Sequence, residues 1–306
     1  MTLEEKMQQR REYVRILFQK TGEDFAKEVL ARHRGGDPAP TAAFRAEYDV
    51  SDHELFGRRW YRIRSKGAVP KGKTKKILYL HGGAFVLETG PAEHVYSGWL
   101  SDQTGVEVWF VDYPLAPEAS AQDAIKMVTA LYEMMLKENS ADEIALMGSS
   151  AGGGIAICAA KHFREIGLPQ PNSMTLYSPC YGFALPTLPD EIAYLAVLEE
   201  RDPMISYRSM PTIGTLWRGS LPEDSALWDP SVGSLTGLAP IQLFAGTGEV
   251  LNLAARRLAR DAEQQHAKIR YIEREMKPHC WILSPGDETA EDRKYVTEVL
   301  LDPSVI

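Results

Sequence analysis

Glu143-Ile144-Ala145-Leu146-Met147-Gly148-Ser149-Ser150-Ala151-Gly152 is the stretch that decides the fold. A short apolar run ends at a Gly-x-Ser-x-Gly pattern, and Gly153-Gly154-Ile155-Ala156 then opens a helix. The order strand, sharp turn, helix sets Ser150 at the apex, exposes its hydroxyl as a nucleophile, and aims a helix N-terminus at it. Gly148 and Gly152 suit the turn, because strand and helix backbones approach there too closely for side chains. The bland alternative is a Gly-rich helix start packed on a sheet.

Around this stretch, strands alternate with helices. Apolar runs at 76–80, 106–111, 143–147, 173–178, 240–245 and 268–273 read as buried strands. Helices are expected at 121–137, from 151 to about 165, from about 252 to 265, and from about 287 to 301. That alternation predicts an α/β fold with a mainly parallel, doubly wound sheet. Before it, residues 45–50 and 57–65 read as an antiparallel strand pair. Earlier still, Leu3, Met7, Val14, Leu17 and Phe18 recur at helical spacing over 3–20. A second helix is expected from about Glu23 to Arg34, stopped by Gly35-Gly36.

Residues 181–236 break the alternation with prolines and with Tyr181, Phe183, Tyr194, Tyr207, Trp217 and Trp228. They read as a helical cap inserted between two strands, over the C-terminal sheet edge where open α/β folds bind ligands. The expected organisation is therefore cap helices at 1–44, a catalytic body at 45–180 and 237–306, and a cap insertion at 181–236.

At 306 residues, 44% hydrophobic and 25% charged, the chain has an ordinary globular composition, and one large domain fits it. A formal charge of −8 gives no reason to expect nucleic acid or an anionic membrane as partner. The basic run Lys71–Lys76 reads as a solvated loop. The charged N-terminus lacks a signal-peptide apolar core, and no run approaches a membrane span. Cys158, Cys180 and Cys280, an odd number without zinc spacing, point to reduced thiols in a cytoplasm and to no metal site.

A serine nucleophile needs a base, and the base needs an acid to hold its tautomer. On this architecture they should follow in the order serine, acid, histidine, each after a strand. Glu249 follows strand 240–245, and His279 follows strand 268–273. His266 ends a polar helix, and His81 precedes the serine, so neither fits the base. His279 could still be a loop histidine satisfied by backbone, and Glu249 a helix-start carboxylate. His81-Gly82-Gly83-Ala84-Phe85 closes strand 76–80 with small residues whose amides can face an oxyanion.

These motifs resemble the hormone-sensitive-lipase-like esterases of the α/β-hydrolase family. HGGAF at 81–85 stands where the family has HGGG, Asp112-Tyr113-Pro114-Leu115-Ala116-Pro117-Glu118 is similar to D-Y-R-L-A-P-E, and Gly148–Gly153 matches G-D-S-A-G-G. The resemblance spans about residues 75–285. It implies an eight-stranded sheet, no cofactor, Ser150 as nucleophile, His279 as base, and the amides of Gly83, Ala84 and Ala151 as oxyanion hole, with Gly82 setting its turn. Glu249 takes the place of the family's aspartate, Pro114 that of its arginine, and Ala84 that of a third glycine.

A small ester is the implied substrate, short- to medium-chain in its acyl part, cleaved through an acyl-serine. Phe85, Tyr181, Tyr194, Trp217 and Trp281 are the expected pocket walls. The last strand, over 268–274, is a candidate edge for a homodimer. An arylformamidase or acetate deacetylase, and a non-catalytic receptor on the same fold, are the competing readings. The presence of His279 counts against the receptor.

Overall fold

The computed structural model describes residues 3–33 and 39–306. Eight strands form one sheet in the order β1-β2-β4-β3-β5-β6-β7-β8. They are β1 (Tyr48–Leu55), β2 (Arg58–Ser65), β3 (Lys76–Leu80), β4 (Glu107–Val111), β5 (Ile144–Ser149), β6 (Ser173–Tyr177), β7 (Ile241–Gly246) and β8 (Ile269–Arg274). β2 pairs antiparallel with β1 and β4, and every other pair is parallel, as the alternation of elements predicts.

Helices α1 (Leu3–Leu17), α2 (Gly22–His33), α3 (Ala42–Glu47), α4 (Pro91–Thr104), α5 (Ala121–Glu138), α6 (Ala151–Glu165), α7 (Pro189–Arg201), α8 (Met210–Arg218), α9 (Asn252–Gln264) and α10 (Ala290–Leu301) complete the chain. β3, β5, β6 and β7 are buried along their whole length, because helices cover both sheet faces. Side-chain alternation sends Leu78 and Leu80 to the face of α5, α6 and α9, and Ile77 and Tyr79 to the face of α4 and α10. No helix among the described residues is long and apolar enough to cross a membrane.

Two expectations change. Residues 42–47 form α3 rather than the start of a strand, because the Thr41 side chain accepts the Phe44 amide at 3.2 Å and starts a helical turn. α4 was not expected at all. Pro91 opens it and Gly105, at φ +75°, closes it, but Glu93, His94, Ser97, Ser101 and Thr104 are among its buried residues. Polar residues on the packed face erase the apolar period that announces a helix. The expected Gly35-Gly36 stop lies outside the described residues.

Between β6 and β7 the chain leaves the sheet to form α7 and α8. The N-terminal helices dock on this excursion. The Ser209 hydroxyl lies 2.7 Å from the Phe18 carbonyl, and the Gly22 amide donates to Thr212 Oγ1 at 3.1 Å. Segments far apart in sequence thus form one layer over the C-terminal sheet edge.

Candidate active site

β5 runs directly into α6 through Ser150, which holds φ +52° and ψ −116°. This strained backbone is fixed by its neighbours: the Ser150 amide donates to the Tyr177 carbonyl at 2.8 Å, and the Cys180 amide donates back to the Ser150 carbonyl at 3.0 Å. Glycine is obligatory beside it. A Cβ on Gly152 would stand 2.0 Å from the Leu80 carbonyl oxygen.

The loop after β3 is strained in the same way, with Gly83 at φ +138°, Ala84 at +53° and Phe85 at +64°. The Val86 and Leu87 amides fold back on the Gly83 carbonyl at 3.1 and 2.8 Å. Among the described residues, the amides of Gly83, Ala84 and Ala151 donate to no protein group. Gly82 differs. Its amide donates to Glu93 Oε1 at 2.8 Å, so it is spent on the turn and leaves the donor set.

Glu93, from α4, is a residue the sequence reading missed. Its Oε2 also accepts the hydroxyls of Ser149 at 2.8 Å and Tyr79 at 2.9 Å. One buried carboxylate therefore ties the loop after β3 to the residue preceding Ser150. The Asp112 motif supports that loop from the other side. Tyr113 donates its hydroxyl to the His81 carbonyl at 2.7 Å and stacks on the His81 ring at 4.3 Å. Pro114 offers no cation, and the positive charge facing Asp112 comes from Arg58 of β2 at 2.9 Å. Burial pushes the Asp112 carboxyl up to about 7 against the pull of Arg58, with Glu88 adding to the rise.

Glu249 follows β7, is fully buried, and faces His279 with Oε2 2.5 Å from Nδ1. Its Oε1 accepts the Ser178 hydroxyl at 2.6 Å and the Gly246 amide at 3.0 Å. Ser178 in turn accepts the Cys280 amide at 3.0 Å, closing a ring of bonds around the acid and the histidine loop. Its position directly after β6 was the available signal for this residue. With Nδ1 turned to a carboxylate, the ring carries its proton there and keeps Nε2 as acceptor. Burial opposes a charged imidazole, but the Cys280 sulfur and the Glu249 carboxylate beside it prevail and hold His279 well above its ordinary range.

Ser150 and His279 line the same cavity of about 170 Å³. In the resting structure His279 Nε2 faces Cys280 Sγ at 3.6 Å, and Ser150 makes no hydrogen bond to the ring. Such contacts commonly tighten only once substrate is bound.

The expected aromatic walls are largely elsewhere. Phe85 lines a second, smaller recess beside Ser150. Tyr181 donates to Asp261 at 3.0 Å, Tyr194 to Asn252 at 2.6 Å, and Trp281 to Asp292 at 3.0 Å. Trp217 stands behind Phe85, 4.7 Å away ring to ring. Buried aromatics that carry a polar atom seek a partner for it, and Tyr181, Tyr194 and Trp281 found theirs in Asp261, Asn252 and Asp292. Aliphatic side chains line most of the cavity instead, Val14, Met204, Ile205 and Leu283 among them, together with Phe18 from the N-terminal segment.

A sequence model of the alpha/beta hydrolase fold matches residues 77–283. An acetyl-hydrolase of Streptomyces hygroscopicus is 27% identical over 208 residues, covering 68% of each chain. An esterase of Acinetobacter venetianus is 27% identical over 222 residues, covering 71% of this chain and 69% of its own. Among solved structures, an esterase of the bacterial hormone-sensitive lipase family superposes with a TM-score of 0.76 at 22% identity, covering 96% of this chain and 97% of the other.

Proposed function

The chain belongs to the α/β-hydrolase fold family, and from that premise we propose that it is a serine carboxylic ester hydrolase working through an acyl-serine. The observation that carries the reading is the convergence around strained Ser150 of His279, paired with Glu249, and of the Gly83, Ala84 and Ala151 amides, which among the described residues have no protein acceptor.

His279 Nε2 takes the Ser150 proton as Oγ attacks the ester carbonyl, and Nδ1–H stays on Glu249. The oxygen of the tetrahedral intermediate becomes negative and is met by the amides of Gly83, Ala84 and Ala151, with the α6 N-terminus behind them. His279 then returns the proton to the departing alcohol, and water repeats the sequence on the acyl-serine. α1, α2 and the 181–236 excursion serve as cap, and 45–180 with 237–306 as catalytic body.

The similarity to an acetyl-hydrolase supports the short end of the acyl range. The test is hydrolysis of p-nitrophenyl acetate by the protein and by Ser150→Ala. Loss of about 10⁴-fold or more in kcat is expected, and equal rates would remove the assignment. A parallel panel of aryl formamides separates an amidase, which would cleave them faster than the esters.

A further inference from the structure

The reacting serine touches two cavities of very different size. The larger, about 170 Å³, holds His279 and is walled by the N-terminal segment and the loop after α7. The smaller, about 20 Å³, lies between the loop after β3 and the start of α6; Ala84, Phe85, Ala151, Cys180, Met210 and Ile213 are among its walls, and His279 is not.

The chemistry assigns the two spaces. His279 must hand its proton to the leaving alcohol, so the alcohol has to sit on the imidazole side, in the larger cavity. The oxyanion points to the amides, which leaves the smaller recess for the remaining substituent on the carbonyl carbon, the acyl chain. We infer that this site, read as the serine hydrolase above, selects two-carbon acyl groups: its substrates are acetate esters.

The sizes decide this. A water-sized group needs roughly 10–15 Å³ of such space, so the recess takes a methyl group and little more. Its walls cannot simply retreat. Phe85 is 1% exposed, Cys180 2%, Met210 4% and Ile213 0%. Phe85 is backed by Trp217 at 4.7 Å and by Phe183 at 5.3 Å. Each further methylene must displace packed side chains, which corresponds to a loss of about tenfold or more in kcat/KM. A formyl group would leave the recess empty and forgo its contacts. No comparable limit applies to the alcohol.

The experiment is a kcat/KM series on the purified protein with p-nitrophenyl acetate, butyrate and hexanoate, beside 1-naphthyl acetate, each repeated with Ser150→Ala. Acetate should exceed butyrate by about 100-fold, two methylenes at about tenfold each, while 1-naphthyl acetate keeps most of the rate. Met210→Ala, and as a milder second variant Ile213→Val, should raise the butyrate-to-acetate ratio, by about tenfold for the first. A flat wild-type chain-length profile that Ser150→Ala abolishes overturns the size selection and leaves the hydrolase reading standing, whether or not the variants fold. Activity indifferent to Ser150→Ala overturns that reading itself.

Discussion

Glu93 and Glu249 play matched parts on either side of Ser150. Each is a buried carboxylate that accepts three hydrogen bonds, Glu93 from Gly82, Ser149 and Tyr79, Glu249 from Gly246, Ser178 and His279. Glu93→Gln removes the charge and keeps one acceptor oxygen for the Gly82 amide, while its NH₂ meets the Ser149 and Tyr79 hydroxyls, which then have to turn round and accept. It should cost about 1–3 kcal/mol of stability, read from the urea midpoint, and lower kcat more than it raises KM, because the oxyanion loop loses its anchor. On the proposed mechanism, Glu249→Gln acts on the base. The raised His279 value places the acidic limb of kcat/KM above about 6.5, since the ring must be neutral to accept the Ser150 proton. Removing the carboxylate takes support from the imidazolium, so the limb should move to lower pH while the plateau falls. A limb that stays in place would show that Cys280 or Asp202, the other groups near the ring, set the value. For stability the sign is opposite. The folded-state gain from a raised His279 is complete below its unfolded value near 6.5 and disappears as pH rises through the folded one.

At the scale of elements, the β5–α6 turn is the tightest joint. Gly152→Ala would force a methyl into the Leu80 carbonyl of the neighbouring strand, so β3 and α6 would have to part. A loss of about 1–3 kcal/mol or more is expected from denaturant unfolding, with activity falling in the fraction that remains folded. α4 shows the opposite relation between pattern and structure. Its buried residues include His94 as well as Glu93, and burial pushes the His94 imidazole down to about 3, so it stays neutral inside the protein. An apolar stripe reads out as a helix because burial and periodicity coincide; in α4 the buried face carries polar groups, of which Glu93 reaches the site, and the stripe vanishes. α3 escaped for a smaller reason, a local Thr41 cap that outcompetes the strand pairing of the residues behind it.

Across the whole molecule, two segments far apart in sequence, the N-terminal helices and the 181–236 excursion, meet at the cavity beside Ser150. Phe18, 3% exposed, lines both spaces at Ser150, while its carbonyl receives the Ser209 hydroxyl. Phe18→Ala should cost about 3–5 kcal/mol in unfolding and raise KM for p-nitrophenyl acetate by about tenfold, with a smaller change in kcat. A change in kcat alone would mean that the N-terminal segment does not touch substrate. The sheet, its alternation with helices, the turn at Ser150 and the order of Ser150, Glu249 and His279 are legible from the residues alone, because each follows from short-range patterns: apolar runs, glycine at close approaches, polar residues directly after strands. Long-range contacts alone settle that Gly82 is spent on Glu93, that Ser178 braces Glu249, and that Phe18 with aliphatic side chains, rather than Tyr181, Tyr194, Trp217 or Trp281, walls the cavity. Those outcomes depend on which distant donor reaches which acceptor, and on where Tyr181, Tyr194 and Trp281 find partners for their polar atoms; local periodicity carries no record of either.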